Sequence, residues 1–310
     1  MSLVVVDPGL ESRIVDFGRP RSRSLGVPVG GAADRHSLAI ANALLGNAPD
    51  APALEVALRG PRLRADADVA CVIFGAPFEI EHNRMPVDIG HVFTLLRGDE
   101  LRILGTPFGV RAYLCVCGGF EMPIVLGSRS SLEPIRADDE LPCRSSAMPS
   151  RYCAEIPRYP SKVWTLSVLP GLQSAWFDEA EFYQQIFTAA PASNRMGVRL
   201  QGVALTMPDR EMISEAVCPG AIQVTRDGQG ILLGVDGQTI GGYPKIAQVT
   251  QADLDAIGQL RPGQRVRFHR ATMQEAVRRD RETAGELAAK VLRLHLSLDA
   301  LTVARRFSVS

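Results

Sequence analysis

The sequence predicts a mainly-β protein of barrels or sandwiches, with few and short helices. Three observations carry this. Short β-prone runs recur along the chain, separated by Gly and Pro turns. Helical patterns are few, and each opens on a start signal. A turn feeding an alternating strand closes one half of the chain and recurs near the close of the other. With 310 residues, at about 100–200 residues per domain, there is room for two domains or one large β domain. Either buries a sizeable core.

Taken in order, the strand candidates are Val69–Phe74, Phe78–Glu81, Val92–Leu96, Leu101–Leu104, Ala112–Cys117, Val163–Val168, Ala221–Thr225, Ile231–Val235 and Arg265–Phe268. The turns between them carry Asn83, Gly98-Asp99, Gly118-Gly119, Asp227-Gly228 and Pro262-Gly263, residue types that supply positive φ or a preset φ. Asp34 N-caps a helix to Leu45, with Leu38, Ala41 and Leu45 on one stripe and Gly46-Asn47 as its stop. Asp178 with Glu181 is a capping-box-like opening before Phe182 and Ile186. Thr250 with Asp253 starts a short helix through Leu254 and Ile257, and Thr272 with Glu275 opens a longer one.

From about Glu286 the chain is helix-prone and rich in Leu. Its Leu, Val and Ala are not confined to one face, so it reads as packing on the body or on a partner rather than on a membrane. The recurring pattern joins Arg97–Ile103 to Arg261–Phe268. It hints at two similar β domains, or it is the common reuse of Gly turns. Pro134–Tyr159, rich in Pro, Arg and Ser with little regular pattern, is the expected link. The chain then divides into residues 1–150, 151–285 and a tail, 286–310.

Lys plus Arg equals Asp plus Glu at 34 each, so no bulk field draws nucleic acid or an anionic membrane. The cysteines (Cys71, Cys115, Cys117, Cys143, Cys153 and Cys218) form no C-x-x-C pair and no Cys/His cluster with zinc spacing. They read as core cysteines, with Cys115 and Cys117 on one strand face, and no metal is expected. Met1–Gly9 lacks a basic region followed by a long apolar stretch, and no window reaches about 18 uncharged apolar residues. A reducing cytoplasm is the expected location.

The common catalytic signatures are absent: G-x-S-x-G, G-x-x-x-x-G-K-[ST], H-E-x-x-H, and G-x-G-x-x-G after a strand. His36, His82, His91, His269 and His295 are scattered and read as surface or structural. The densest unusual stretch is Asp227–Val249, where glycines sit beside Asp236, Gln238, Thr239, Tyr243 and Lys245. Such a loop can present N–H groups to an anion or carbonyl oxygen, with side chains converging on it. A pair of tight β-turns explains the same glycines. In Ser193–Leu200, Arg195 and Arg199 stand four apart, fit to fork a carboxylate if the piece is extended, or to sit in a solvated turn. Gly26–His36 precedes the Asp34-capped helix, a natural anion site, although capping alone accounts for Asp34.

Several ordered motifs add a resemblance. They are Val15–Arg19; Gly26-Val27-Pro28, Gly31-Ala32 and Asp34; Ala41–Asn47; Glu55 and Gly60-Pro61; Arg111–Leu114 with Gly118-Gly119; and Leu126–Ser130. Further on come Ser193–Gly197 with Arg199-Leu200, Ser214-Glu215, Pro219–Gln223, Asp236–Thr239 and Gly241–Ala247. In this succession, over roughly residues 10–280, the chain resembles the second subunit of the allophanate hydrolase and 5-oxoprolinase group of biotin-dependent carboxyltransferases.

The resemblance implies two tandem cyclophilin-like β-barrel domains. It also implies a homologous first subunit as partner, room for a third subunit, and a small amide or lactam substrate. In such systems a carboxyl group moves from carboxybiotin to an acceptor nitrogen. No Met-Lys-Met biotinylation context or ATP motif is present, so carboxybiotin would arrive on a separate carrier, and any ATP used by the complex would be bound by another subunit or at an unfamiliar site.

On the matching positions, the expected catalytic group is Asp236, Gln238, Thr239, Tyr243 and Lys245. Gln238, Thr239 and the backbone at Gly241-Gly242 would stabilise oxygen. Tyr243 and Lys245 would position or exchange a proton, oriented by Asp236. Arg195 and Arg199 would hold a carboxylate or carbonyl. Gln223, Gly241, Gly242 and Ser214 complete the expected substrate-binding set. After Ser128–Ser131 the chain departs from the family's glycine-rich loop and runs Leu132–Glu140 with acidic residues instead. That departure keeps a second function open: a non-catalytic regulatory subunit, like the relative that antagonises a sporulation-kinase inhibitor. A purely structural subunit is a third.

Overall fold

The computed structural model describes residues 1–157, 159–160 and 162–308, with side chains described through Leu298. The chain forms two compact units, one of Met1–Gly18, Arg35–Arg158 and Gly285–Ser310, the other of Arg19–Asp34 and Tyr159–Ala284. The units therefore interleave in sequence, in contrast to the contiguous ranges 1–150 and 151–285 expected from composition.

The first unit carries twelve strands: β1 (Ser2–Asp7), β2 (Glu11–Val15), β3 (Ala53–Ala57), β4 (Arg62–Ala65), β5 (Val69–Gly75), β6 (Ile80–His82), β7 (Met85–Val87), β8 (His91–Leu95), β9 (Glu100–Ile103), β10 (Arg111–Val116), β11 (Glu140–Pro142) and β12 (Arg151–Tyr152). They make two six-stranded antiparallel sheets, ordered β11-β1-β4-β9-β6-β7 and β12-β8-β5-β10-β3-β2. Strands β3, β5 and β10 are buried along their whole length, which is why β5 and most of β10 read as continuous apolar runs rather than alternating ones. Helix α1 (Arg35–Leu44) packs on β5 and β10. Every residue from Ser37 to Leu44 is buried, so the single apolar stripe expected for this helix is a helix buried all round.

Two asparagines explain the Ala41–Asn47 motif. Asn42 donates to the carbonyls of Pro49 and Ala51. Asn47 donates to Asn42 Oδ1 and Val116 O, and accepts from Gly118 N at 2.8 Å. These bonds satisfy the polar groups where the chain leaves α1. Glu55, 2% exposed, lies between Arg111 Nε at 3.2 Å and Tyr113 OH at 2.9 Å on the neighbouring strand, so its charge is paired as well as buried.

The Val15–Arg19 and Leu126–Ser130 motifs meet at Asp16. Its carboxylate accepts from Ser128 Oγ (2.6 Å), Ser130 Oγ (2.6 Å), Gly18 N (2.7 Å) and Arg129 N (2.6 Å). Those donors outweigh desolvation and hold its pKa below the ordinary carboxylate value. The divergent 132–140 segment is ordered against the same unit. Ile135 N bonds Ser12 O, and Val5 exchanges backbone bonds with Asp138 and Asp139 before β11 pairs with β1. Cys71, Cys115, Cys143 and Cys153 are buried, Cys117 is partly buried and Cys218 is exposed; all are free. Burial pushes the Cys71 and Cys115 thiols well up, and Cys143 to about 11, the state of inert core thiols. Among the described residues no group of His, Cys, Asp or Glu is arranged to hold a metal.

The second unit is a closed barrel. Its strands are β13 (Val163–Pro170), β14 (Phe187–Ala189), β15 (Gly197–Gln201), β17 (Ala221–Val224), β18 (Gly230–Leu233), β20 (Lys245–Val249) and β21 (Arg265–Arg270), with β16 (Glu215–Ala216) and β19 (Ile240–Gly241) forming a separate ribbon. The barrel runs β13-β20-β17-β18-β15-β14-β21, and the parallel pairing of β21 with β13 closes it. Alternation sorts the residues: Ile222, Val224, Leu200 and Leu232 join the core, where Phe182 stacks on Phe268 at 5.1 Å.

Helix α2 (Glu179–Tyr183) starts as expected, with Asp178 accepting from Ala180 N. Glu181, however, binds Thr206 N and Oγ1 instead of completing the box. Helix α3 (Leu254–Gln259) follows a 3-10 turn, Gln251–Asp253, and Thr250 makes no side-chain cap there. Asp253 instead accepts from Ser167 N and Arg279. At Thr272 the full capping box forms with Glu275, and α4 (Met273–Ser308) runs on through most of the predicted tail; residues 309–310 lie outside the described ones. In the first unit the tail packs on the body: Arg151 donates to Leu294 O and Ser297 Oγ, and Lys290 pairs with Glu155 at 2.9 Å. No helix among the described residues is long and apolar enough to cross a membrane.

Asp16 gives a test of the first unit. Asp16→Ala should lower its stability by about 2 kcal/mol, since four donors lose their acceptor. Because the folded pKa is depressed, the contribution is present above the unfolded value and lost as pH falls through the folded one. Urea melts should therefore show the wild-type advantage at pH 7 shrinking as the pH is lowered below the ordinary carboxylate value.

Candidate active site

A polar cluster lies on the barrel face opposite the core. Gln223 alternates with the core residues Ile222 and Val224, so its side chain points to the other face of β17. There it pairs in register with Lys245, the first residue of β20, across a bulge between Ile222 and Gln223. A bulge at this point re-aims the neighbouring side chain. The β16–β19 ribbon sets Glu215 opposite Gly241, and Val217, Ala221 and Leu233 form a small apolar cluster nearby.

The centre of this cluster is Lys245. It is 6% exposed, and its Nζ lies 2.6 Å from Glu215 Oε2. The Glu215 side chain is 42% exposed, so the pair has a buried cation and a carboxylate open to solvent. A buried ammonium is tolerable only when paired. The hydrogen bond from Lys245 comes first, and that from Gln173 second, in holding the Glu215 carboxyl below its ordinary value. Gln173 meets the same oxygen, Nε2 to Oε2 at 3.2 Å.

Two amides stand beside the pair. Gln238 Nε2 makes a long bond of 3.4 Å to Gln223 Oε1. Gln223, 1% exposed, keeps its Nε2 buried with no partner. A buried donor left unmade costs roughly 1–3 kcal/mol, so an oxygen acceptor supplied from outside would relieve it. Gly241 leaves room for both amides: an added Cβ would stand 2.4 Å from Gln223 Nε2 and 2.8 Å from Gln238 Nε2, and they would have to shift. Gly242 lies beside Ser214, whose Oγ would be 3.3 Å from an added Cβ. Thr239 is buried and its carbonyl accepts from Val217 N; Tyr243 is 38% exposed.

The fold thus brings together Lys245, Gln223, Gln238, Gly241, Gly242 and Ser214, and it places the two arginines elsewhere. Arg195, 6% exposed, binds Asp236 bidentately at 2.7 and 3.0 Å and donates to Gly31 O at 2.6 Å. With Gly30 N bonded to Val235 O, this fastens the 19–34 segment to the barrel. Arg195 and Asp236 therefore engage each other within the second unit. Arg199 is exposed on β15 and shares the row of Ile231 and Gln223, two strands and roughly 10 Å from Gln223.

Sequence reasoning passed over two residues of the cluster, Gln173 and the role of Glu215. One signal for the centre was available. Only three of the 34 basic residues are lysines, at 162, 245 and 290, so a lysine inside the Gly-rich stretch marks a position where a compact ammonium is wanted instead of a planar fork.

The chain belongs to the carboxyltransferase-domain family, subdomains A and B, which it matches over residues 25–270. It is 32% identical over 309 residues to the 5-oxoprolinase subunit lettered C of Escherichia coli (strain K12), covering 94% of this chain and 99% of that one. The Haemophilus influenzae protein of the same name is 34% identical over 289 residues, covering 88% and 93%. Among solved structures, Kluyveromyces lactis urea amidolyase superposes with a TM-score of 0.85 at 25% identity, over 93% of this chain and 20% of that one. TTHA0988 does so with a TM-score of 0.77 at 34% identity, over 86% of this chain and 55% of that one. The chain thus spans about a fifth to a half of the solved proteins it matches.

The two arginines give the test of this assignment. Arg195→Ala should destabilise the second unit by about 3 kcal/mol, the cost of breaking a buried pair, whereas Arg199→Ala should stay within about 0.5 kcal/mol of wild type, as for an exposed side chain. Chemical denaturation of both variants measures the contrast.

Proposed function

We propose that this chain is the carboxyltransferase-type subunit of a multi-subunit complex that processes a small amide or lactam such as 5-oxoproline, acting with a homologous first subunit. The observation that carries the reading is the juxtaposition of donors and an acceptor at one place. Lys245 Nζ, Gln238 Nε2 and the unpartnered Gln223 Nε2 face oxygen; the open Glu215 carboxylate faces N–H. A –C(=O)–NH– unit presents the complement of that set.

Donors held in a partly desolvated site stabilise charge that develops on a carbonyl oxygen. Glu215 has a depressed proton affinity, which suits it to orient an N–H by accepting its hydrogen bond more than to remove the proton outright. Lys245, in contact with that carboxylate, is the group placed to exchange a proton with the reacting nitrogen or oxygen, and Tyr243 stands exposed nearby. The ureido ring of biotin has the same carbonyl-and-N–H pattern, so the same residues fit it: Gln223 and Gln238 toward its oxygen, Glu215 toward its N–H. When bound, carboxybiotin would supply the carboxyl group. The relatives named as a 5-oxoprolinase subunit support a complex of this kind; in this reading ATP is used elsewhere in it.

The experiment is reconstitution. The chain is co-purified with its candidate first and third subunits and assayed for ATP-dependent 5-oxoproline turnover. Turnover should vanish when this chain is omitted. Lys245→Met should lower kcat at least about 100-fold, the scale of one lost charge-stabilising group, with the complex still assembled. A stable complex with no turnover on 5-oxoproline, urea or other small amides would overturn the enzymatic reading in favour of a binding subunit.

A further inference from the structure

We propose that Gln173 is a positioning residue that holds the Glu215 carboxylate against the Lys245 ammonium. The inference rests on the reading of Lys245 and Glu215 as the reactive pair, and names what sets their geometry.

Both ends of the Gln173 amide are used. Oε1 accepts from the Lys245 backbone N at 3.1 Å, and Nε2 donates to Glu215 Oε2 at 3.2 Å. The Gln173 backbone N donates in turn to Lys245 O at 3.1 Å. A backbone N–H can only donate, so Oε1 must face Lys245 N and the NH2 must face the carboxylate. The orientation of the amide is thereby set by its partners, and it matches an ionised Glu215. Glu215 Oε2 also receives Lys245 Nζ, at 2.6 Å. One side chain thus ties the backbone of the cation to the carboxylate of its partner.

The splint is itself rigid. Gln173 is 7% exposed. Gly171 N bonds Ile246 O at 2.9 Å, and an added Cβ at Gly171 would fall 2.2 Å from Lys245 O. The backbone can approach β20 this closely only without a side chain there. Just beyond, the 3-10 turn Ser174–Trp176 is braced where Arg210 lies over the Trp176 ring at 5.5 Å. Glu215, by contrast, sits on a two-residue strand with its side chain 42% exposed. Left with Lys245 alone, a half-exposed glutamate regains rotamer freedom and solvent access. Gln173 removes that freedom, and it is the second-largest cause of the lowered Glu215 pKa.

The test uses the full chain with δ-13C-glutamate, the Glu215 signal being assigned by its loss in Glu215→Gln. Gln173→Met fills the same volume without either polar contact. Gln173→Glu keeps the acceptor for Lys245 N but sets a second carboxylate beside Glu215. Removing a donor raises a depressed pKa, and a like charge raises it further. The Glu215 midpoint should therefore climb in the order wild type, Gln173→Met, Gln173→Glu, by about half a pH unit or more per step. In the assembled complex, the acid limb of kcat should move up in the same order.

A Glu215 midpoint unchanged within about 0.2 units in both variants would overturn the proposal, because a packing role is satisfied by Met. If Gln173→Met fails to fold by circular dichroism, the comparison of wild type with Gln173→Glu decides alone. If the wild-type complex shows no turnover, the proposed reaction falls, while the carboxyl titration still decides the role of Gln173.

Discussion

In the second unit, everything depends on the parallel pairing of Val163–Val168 with Arg265–Arg270. These strands lie about a hundred residues apart, and joining them turns an antiparallel sheet into a closed barrel. Closure removes free edges and gives the barrel an inner apolar side and an outer one. Phe182, Phe187 and Phe268 fill the inside. The outer face of β17 and β20 is then free to carry Gln223 and Lys245 without disturbing the core. A bulge between Ile222 and Gln223 breaks the regular register at that point, and the site is built on the irregularity.

The electrostatics of the cluster follow from an imbalance in burial. Lys245 is taken out of water while Glu215 keeps a route to it. Desolvation makes the ammonium dependent on its carboxylate, so the position of Glu215 governs the electrostatics of the whole cluster. Gln173 and Gly171 belong to the same device, the glycine allowing the chain close enough for the amide to reach both partners. The Gln223 nitrogen beside the pair is buried without a hydrogen-bond partner, which is what the proposed carbonyl oxygen would satisfy. Arg195 and Asp236 use the same kinds of groups for a different end. With both charges satisfied by each other, and with Gly31 O as a third contact, they secure the 19–34 segment.

Much of this was legible from the chain alone. All nine strand candidates fall on observed strands, and the glycines at 98, 118, 119, 228 and 263 adopt positive φ, as does Asn83, because turn chemistry is local. The same locality explains why the Thr272–Glu275 box is correct. Other strands, such as β3, went unread: β3 is buried on both faces and shows no alternation. Lys245, Gln223, Gln238 and Gly241 stand out because their motif is dense and ordered. Gln173 does not, since its importance comes from Lys245, 72 residues away.

The sequence by itself determined the mainly-β class, the turns, most helix starts and the family, since each depends on residues close together or on motifs in a given order. Tertiary structure alone decided which side chains share the site. Arg195 and Lys245 look equally suited to a ligand when read along the chain. The fold gives Arg195 the carboxylate of Asp236 as an internal partner, and gives Lys245 a partner that opens to solvent. The physical reason is that the role of a charge is set by what neutralises it and by how much water reaches the pair, and neither is encoded at the position of the charge.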